Sequence, residues 1–191
     1  FERRVPADFS SATFFLGAGA ALDADLTLRG LDLADPQGDK AVIEYLRAMG
    51  ADIEAGADGI RVRRRALQGA ELDLNATPDA LPMMAVVGAL AEGTTRLVNV
   101  AQARVKETDR IAVMAAELGK IGARVEERPD GLRIEGGRLK GARVRGHGDH
   151  RVVMALAVAG LAAEGETEID TAEAVAVTFP SFVALMRSAG A

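Results

Sequence analysis

The sequence predicts an α/β domain built from three repeated units packed around shared buried helices. Three observations predict it. Helix-like segments over residues 11–22, 81–91 and 152–163 are apolar nearly all round, and a helix that is apolar on every side has to be buried on every side. A second set, over 39–49, 109–121 and 181–189, is amphipathic, and each segment ends at a glycine suited to a left-handed cap: Gly50, Gly122 and Gly190. The two sets recur together. Asp8, Asp79 and Asp149 precede the apolar segments at spacings of 71 and 70, while the three glycines are spaced by 72 and 68.

In chain order, Phe1 to Val5 reads as a strand, and its opening without methionine suggests a piece of something longer. Ser10 and Ser11 read as caps of the first apolar helix. An alternating strand over 25–29 leads to the first amphipathic helix, where Ala41, Val42, Ile43, Tyr45 and Leu46 sit among charged residues, the pattern of a helix covering an outer face. Strands over 51–54 and 59–63 straddle Ala57-Asp58-Gly59, a hairpin turn signal. The second unit repeats this: helix 81–91, strand 94–99, helix 109–121, then strands 123–127 and 131–135 about Pro129-Asp130-Gly131. The third offers helix 152–163, strand 167–170 and helix 181–189, and reaches Ala191 without closing strands, so another segment is expected to supply them. One unit therefore reads βαβαββ. The unit boundaries fall near 1–66, 67–137 and 138–191, within one domain spanning 1–191, and the third unit is incomplete.

Composition narrows the function classes. With 191 residues, 49% hydrophobic and 27% charged, the chain reads as globular and can bury a large core. Its longest apolar stretch, 152–163, is twelve residues, short of the ~17–25 a membrane helix needs. The net charge of −5 argues against a nucleic-acid coat or a membrane-surface protein but permits a local cationic pocket. Zero cysteines exclude thiolate metal sites and cysteine nucleophiles. His147 and His150 lack a ligand set of familiar spacing, so no metal is expected.

Charged residues gather where the helices begin. Arg104-Val105-Lys106-Glu107-Thr108-Asp109-Arg110 runs into the second amphipathic helix and reads either as a solvated face with a capping aspartate or as a site. Lys106 and Arg110 are four apart, near a helix N-terminus where the dipole disfavours cations, so the pair calls for an external anion. Asp79, after Thr77-Pro78, reads as an N-cap or as a functional carboxylate. Gly146-His147-Gly148-Asp149-His150-Arg151, opening the third apolar helix, is a weak phosphate-loop signal. Together these clusters place carboxylates Asp79, Glu107 and Asp149 and cations Lys106, Arg110 and Arg151 at equivalent corners of the repeat. Arginine suits planar carboxylates and phosphates, and carboxylates among cations can exchange protons. The expectation is a phosphorylated, carboxylated substrate handled by acid–base chemistry.

The run Arg104 to Arg110, the triplet Asp149-His150-Arg151, the Pro78-Asp79 turn, the segment Val5 to Ala12 and the closing Thr178-Phe179-Pro180-Ser181-Phe182 resemble the 5-enolpyruvylshikimate-3-phosphate synthase family. The resemblance covers essentially the whole chain. The seven-residue run and the triplet separate this family from the UDP-N-acetylglucosamine enolpyruvyl transferases. It implies an inside-out barrel of βαβαββ units, with this chain as the C-terminal half and the N-terminal domain absent from it. It also implies a cytoplasmic, cofactor-free transfer of the enolpyruvyl group of phosphoenolpyruvate to the 5-hydroxyl of shikimate 3-phosphate, with phosphate released, in aromatic amino-acid biosynthesis.

Carried over by motif, Asp79 resembles the base near the attacking hydroxyl and a shikimate-phosphate ligand. Glu107 resembles the acid, later base, at the methylene carbon. The resemblance further implies that Gln102 and Lys106 bind shikimate phosphate, that Arg110 and Arg151 hold phosphoenolpyruvate, and that Asp149 and His150 support them. Two features differ from the family pattern. Val177 stands where some relatives carry a phosphoenolpyruvate-binding lysine, and the lysine, arginine and serines contributed by the other domain have no counterpart here. Two other readings remain: a non-catalytic half-molecule that binds a partner chain, and an RNA-phosphate cyclase of similar architecture. The acidic balance and one Tyr with six Phe count against nucleic acid.

Overall fold

The computed structural model describes residues 6–56 and 58–190; the strand expected over 1–5 and Ala57 of the first hairpin turn lie outside the described residues. The first helix, α1 (Phe9–Ala21), starts earlier than expected because its cap is Asp8 rather than Ser10 or Ser11. The Asp8 carboxylate accepts from the backbone N–H of Ser10 at 3.2 Å and of Ser11 at 2.8 Å. A carboxylate can satisfy two orphan donors and also complements the positive end of the helix, so it displaces the hydroxyls from that role. Ser11 Oγ instead donates to Asp8 at 2.6 Å.

Strand β1 (Asp25–Leu28) follows. The first turn of the expected amphipathic helix is a 3-10 turn, Gly38–Ala41, and α2 (Val42–Ala48) is correspondingly short. Glycine at position 38 lets the turn lie close to the loop before α3, since a Cβ there would be 3.1 Å from the carbonyl of Ala76. Tyr45 of α2 ties the same neighbourhood down, its hydroxyl donating to the Asp73 carbonyl at 2.9 Å. Strands β2 (Asp52–Gly56) and β3 (Gly59–Arg63) form an antiparallel hairpin, and β1 joins β3 to give the order β1-β3-β2.

Next come β4 (Glu71–Asp73), α3 (Leu81–Leu90), β5 (Thr94–Val98), α4 (Arg110–Lys120), β6 (Arg124–Arg128) and β7 (Gly131–Glu135). Their sheet runs β4-β5-β7-β6, with β4 parallel to β5 and the other pairs antiparallel. Then β8 (Arg143–Val144), α5 (His150–Ala162), β9 (Glu168–Ile169), α6 (Val175–Thr178) and α7 (Phe182–Ser188) complete the described chain. β8 and β9 pair in parallel. β1 and β5 each carry an antiparallel neighbour, whereas β9 has none among the described residues.

The core lies where the apolar helices meet: α3 packs against α1 and α5, and α1 also reaches α5. Nine consecutive residues of α3, Leu81 to Ala89, are buried. Close approach to the sheets relies on small residues, with Gly88 against Thr95 and Gly160 against Thr167. By contrast α4 buries one face, through Ile111, Met114 and Leu118. The C-terminal segment returns to the first helix, where Phe182 meets Phe14 edge-on at 6.3 Å and Phe179 lies 5.9 Å from Phe15. Gly50, Gly122 and Gly190 adopt φ of 91°, 90° and 95°, the left-handed caps that the sequence calls for. Among the described residues no helix is long and apolar enough to cross a membrane.

Candidate active site

Arg110, the first residue of α4, lies at the centre of the charged cluster. Its Nε donates to Asp149 Oδ2 at 2.8 Å and Nη2 to Asp149 Oδ1 at 3.1 Å; Nη1 donates to Asp79 Oδ1 at 2.9 Å, and Nη2 also to Glu107 Oε2 at 2.7 Å. The Arg110 and Asp149 side chains are fully buried. The external anion expected for Lys106 and Arg110 is therefore replaced, at Arg110, by carboxylates of the chain itself. The reason is energetic: a guanidinium withdrawn from water costs several kcal/mol unless charged partners surround it.

Asp79 sits in a 3-10 turn, Pro78–Ala80, and its carboxylate caps no helix among the described residues, which removes the capping alternative. It faces cations instead: Lys106 Nζ at 3.2 Å, Arg110 at 2.9 Å and Arg151 Nη2 at 3.5 Å. Burial alone would raise its carboxyl, but Arg151, Lys106 and Arg110 together hold it below its usual value. Asp149 caps α5, Oδ1 accepting from the Arg151 backbone N–H at 2.9 Å. It too would be raised by burial, and Arg110 with the cap N–H holds it low.

Lys106 and Glu107 ride on the segment between two fixed points. Arg104 donates through Nε to the Pro129 carbonyl at 2.8 Å, through Nη2 to the Arg128 carbonyl at 2.6 Å and through Nη1 to Asp109 Oδ2 at 2.7 Å. Asp109 in turn caps α4, accepting from the Ala112 N–H at 3.0 Å. The ends being pinned, Lys106 and Glu107 remain partly exposed, at 32% and 49%. His150 Nδ1 lies 3.9 Å from Glu107 Oε1. Burial, aided by Arg151, pulls its pKa below the ordinary 6.5, so its imidazole is neutral near neutrality.

The structure thus brings Asp79, Lys106, Glu107, Arg110, Asp149, His150 and Arg151 together. Gln102 is not joined to them by a hydrogen bond among the described residues; its amide donates to the Asn75 carbonyl at 2.7 Å, in a separate cleft with Asp73, Asn99 and Asp130. Val177 is 83% exposed. Sequence reasoning missed Asp39. Burial pushes its carboxyl up, opposed by Arg151 and aided by Asp79, which places it in the field of the same cluster. Its position 70 residues before Asp109, at the matching helix start, is the signal that could have found it.

The fold and the cluster define an α/β domain whose buried helices open on a set of paired carboxylates and cations. The comparisons with known proteins are more particular. The profile of the EPSP synthase (3-phosphoshikimate 1-carboxyvinyltransferase) family matches residues 1–186. The 3-phosphoshikimate 1-carboxyvinyltransferase of Ruminiclostridium cellulolyticum is 55% identical over 190 residues, covering 100% of this chain and 45% of that protein. That of Methanocella arvoryzae is 50% identical over 194 residues, again covering 100% of this chain and 45% of that protein. Among solved structures, an EPSP synthase from Acinetobacter baumannii superposes with a TM-score of 0.87 at 34% identity, over 97% of this chain and 46% of that one. The chain belongs to the EPSP synthase family. It spans about 45% of the length of these curated relatives.

Proposed function

We propose that the complete protein carrying this chain transfers the enolpyruvyl group of phosphoenolpyruvate to the 5-hydroxyl of shikimate 3-phosphate. The chain supplies the C-terminal half as three βαβαββ units of an inside-out barrel, near 1–66, 67–137 and 138–191, the third lacking its two closing strands among the described residues. The observation that carries the reading is the ion network joining the Arg104–Arg110 run to Asp149 and Asp79, two helix starts 70 residues apart. It assembles cations for a phosphate and carboxylates for proton transfer on one side of the buried helices.

The reaction follows from those groups. Asp79, held as a carboxylate by its cations, accepts the proton of the attacking hydroxyl. A bond forms from that oxygen to the enol carbon while Glu107 protonates the methylene carbon. Glu107 then takes a proton back from the methyl group so formed, the double bond re-forms, and phosphate leaves with its bridging oxygen, carrying away the proton that Asp79 accepted. Lys106 steadies the phosphate of shikimate 3-phosphate, and Arg151 holds phosphoenolpyruvate. Arg110, already saturated by three carboxylates, meets phosphoenolpyruvate where Glu107 gives up its Nη2 contact to turn toward the methylene carbon.

The remaining N-terminal part of the protein encloses shikimate 3-phosphate from the other side. It also supplies antiparallel strands for the edge of β9 that has no neighbour among the described residues, and it packs on the apolar groove lined by Phe15, Leu26, Leu28, Leu31, Phe179 and Leu185. The complete protein, given both substrates, should release one phosphate per enolpyruvyl ether formed. Failure to form the ether while both substrates bind would leave the non-catalytic reading.

A further inference from the structure

The helix that places Arg110 against Asp149 carries a carboxylate of its own on the same face, two turns on. Glu117 is 2% exposed, buried in a protein where most glutamates face water. Its partners come largely from the segment just before Asp149. Oε2 accepts from the Arg145 backbone N–H at 2.9 Å, and Oε1 lies 2.9 Å from His147 Nε2; Lys120 Nζ completes the set at 2.7 Å. The lowered pKa of Glu117, which burial opposes and Lys120, His147 and the Arg145 N–H together bring about, fits a carboxylate that stays ionised there.

That segment is bent in a way that needs holding. His147 has φ of 56° and Gly148 of 70°, two consecutive left-handed residues of which one is not glycine. On its other side the segment is fastened by Asp170 Oδ1, accepting from the Gly146 N–H at 2.8 Å, and by Thr171 Oγ1, accepting from the Gly148 N–H at 3.0 Å. A side chain at Gly146 would strike Val153 and Thr171. Arg110 and Glu117, seven residues apart on α4, therefore grip the two ends of the turn from which Asp149 and Arg151 emerge.

We propose that Glu117 is a positioning residue for the anion site: by fixing the turn over 145–148 it sets Asp149 against Arg110 and Arg151 beside Asp79. The inference rests on the proposed function for its kinetic readout, but its geometric readout does not. In the complete protein carrying this chain, Glu117→Ala should raise the KM for phosphoenolpyruvate about tenfold, the scale on which displaced binding groups are felt. Glu117→Gln, which keeps one oxygen for the Arg145 N–H, should fall between it and wild type. Lys120→Ala, which removes the charge partner and leaves the turn alone, should leave KM unchanged. An unchanged KM in Glu117→Ala, or Lys120→Ala raising KM as much, would overturn the proposal. Where Glu117→Ala does not fold, His147→Gln decides, with a KM raised about threefold expected and an unchanged KM overturning it. If the wild-type protein turns over no substrate, the proposed function fails by itself. The crystal structure of Glu117→Ala, or of His147→Gln where that variant does not fold, then decides the inference: a turn and Arg110–Asp149 contact superimposable on wild type would overturn it, and a displaced Asp149 would support it.

Discussion

Arg110 shows how far a single residue's meaning depends on what folds around it. From its place near a helix N-terminus it reads as a cation in need of a ligand; in the fold it is buried among Asp79, Glu107 and Asp149. Arg110→Ala would leave Asp149 buried and uncompensated, so a loss of about 3–5 kcal/mol is expected. Arg110→Lys keeps the charge without the fork and should lose less; chemical denaturation of both variants measures the difference. Asp79 and Asp149 also set an acid limit. Both folded-state values lie below the ordinary 3.8, so their stabilisation is complete above that pH and is lost as pH falls through the lower folded values. Melting temperature should therefore drop steeply below about pH 4, and Asp149→Asn, which can still cap α5, should flatten that fall. For chemistry the telling residue is Glu107. In the complete protein Glu107→Gln should cut turnover about 10²- to 10⁴-fold with little change in KM, because the amide keeps the shape and loses the proton; steady-state kinetics with both substrates varied tests it.

At the scale of elements, periodicity located six of the seven α-helices among the described residues and most strands; it missed α6, only four residues long, and the strands whose formation depends on a neighbour. The strands β4 and β8 are three and two residues long, too short for alternation to register, and exist because β5 and β9 lie alongside. The Asp8 cap was hidden by two adjacent serines of good capping propensity, and the 3-10 turn that begins at Gly38 lies where a side chain would come within 3.1 Å of the Ala76 carbonyl, a closeness no local pattern reveals. Repetition extends to a flaw. Thr95 and Thr167, each facing a helix glycine, both bury a hydroxyl without a hydrogen-bond partner among the described residues. Thr95→Val, matching shape and strand propensity, should stabilise the protein by about 1 kcal/mol by removing that unpaired group. Thermal unfolding reads the sign directly.

Across the whole molecule, the proposed reaction needs two walls, and the described fold presents one. Residues 1–191 alone are therefore expected to bind phosphoenolpyruvate weakly and to show no useful turnover, since nothing in the cluster excludes water from the reacting carbon. Mixing the chain with a separately made N-terminal half should restore phosphate release; full activity of the chain alone would refute the two-wall argument.

The sequence by itself determined the mixed α/β architecture and most of the charged residues that the fold brings together. Burial pattern is a property of consecutive residues, so three all-apolar helices, three glycine-capped amphipathic ones and a period near 70 could be read without coordinates. The charged motifs at the helix starts could be read the same way. Only the tertiary structure decided how those charges divide: which cation is buried with the carboxylates, which stay partly open, that Gln102 turns to Asn75, and that Asp39 and Glu117 border the cluster. The physical reason is range. Helical and strand preferences act over a few residues, whereas the pairing and burial of a charge are set by groups that the fold brings from 30 to 40 residues away, as Asp79 and Asp149 are from Arg110.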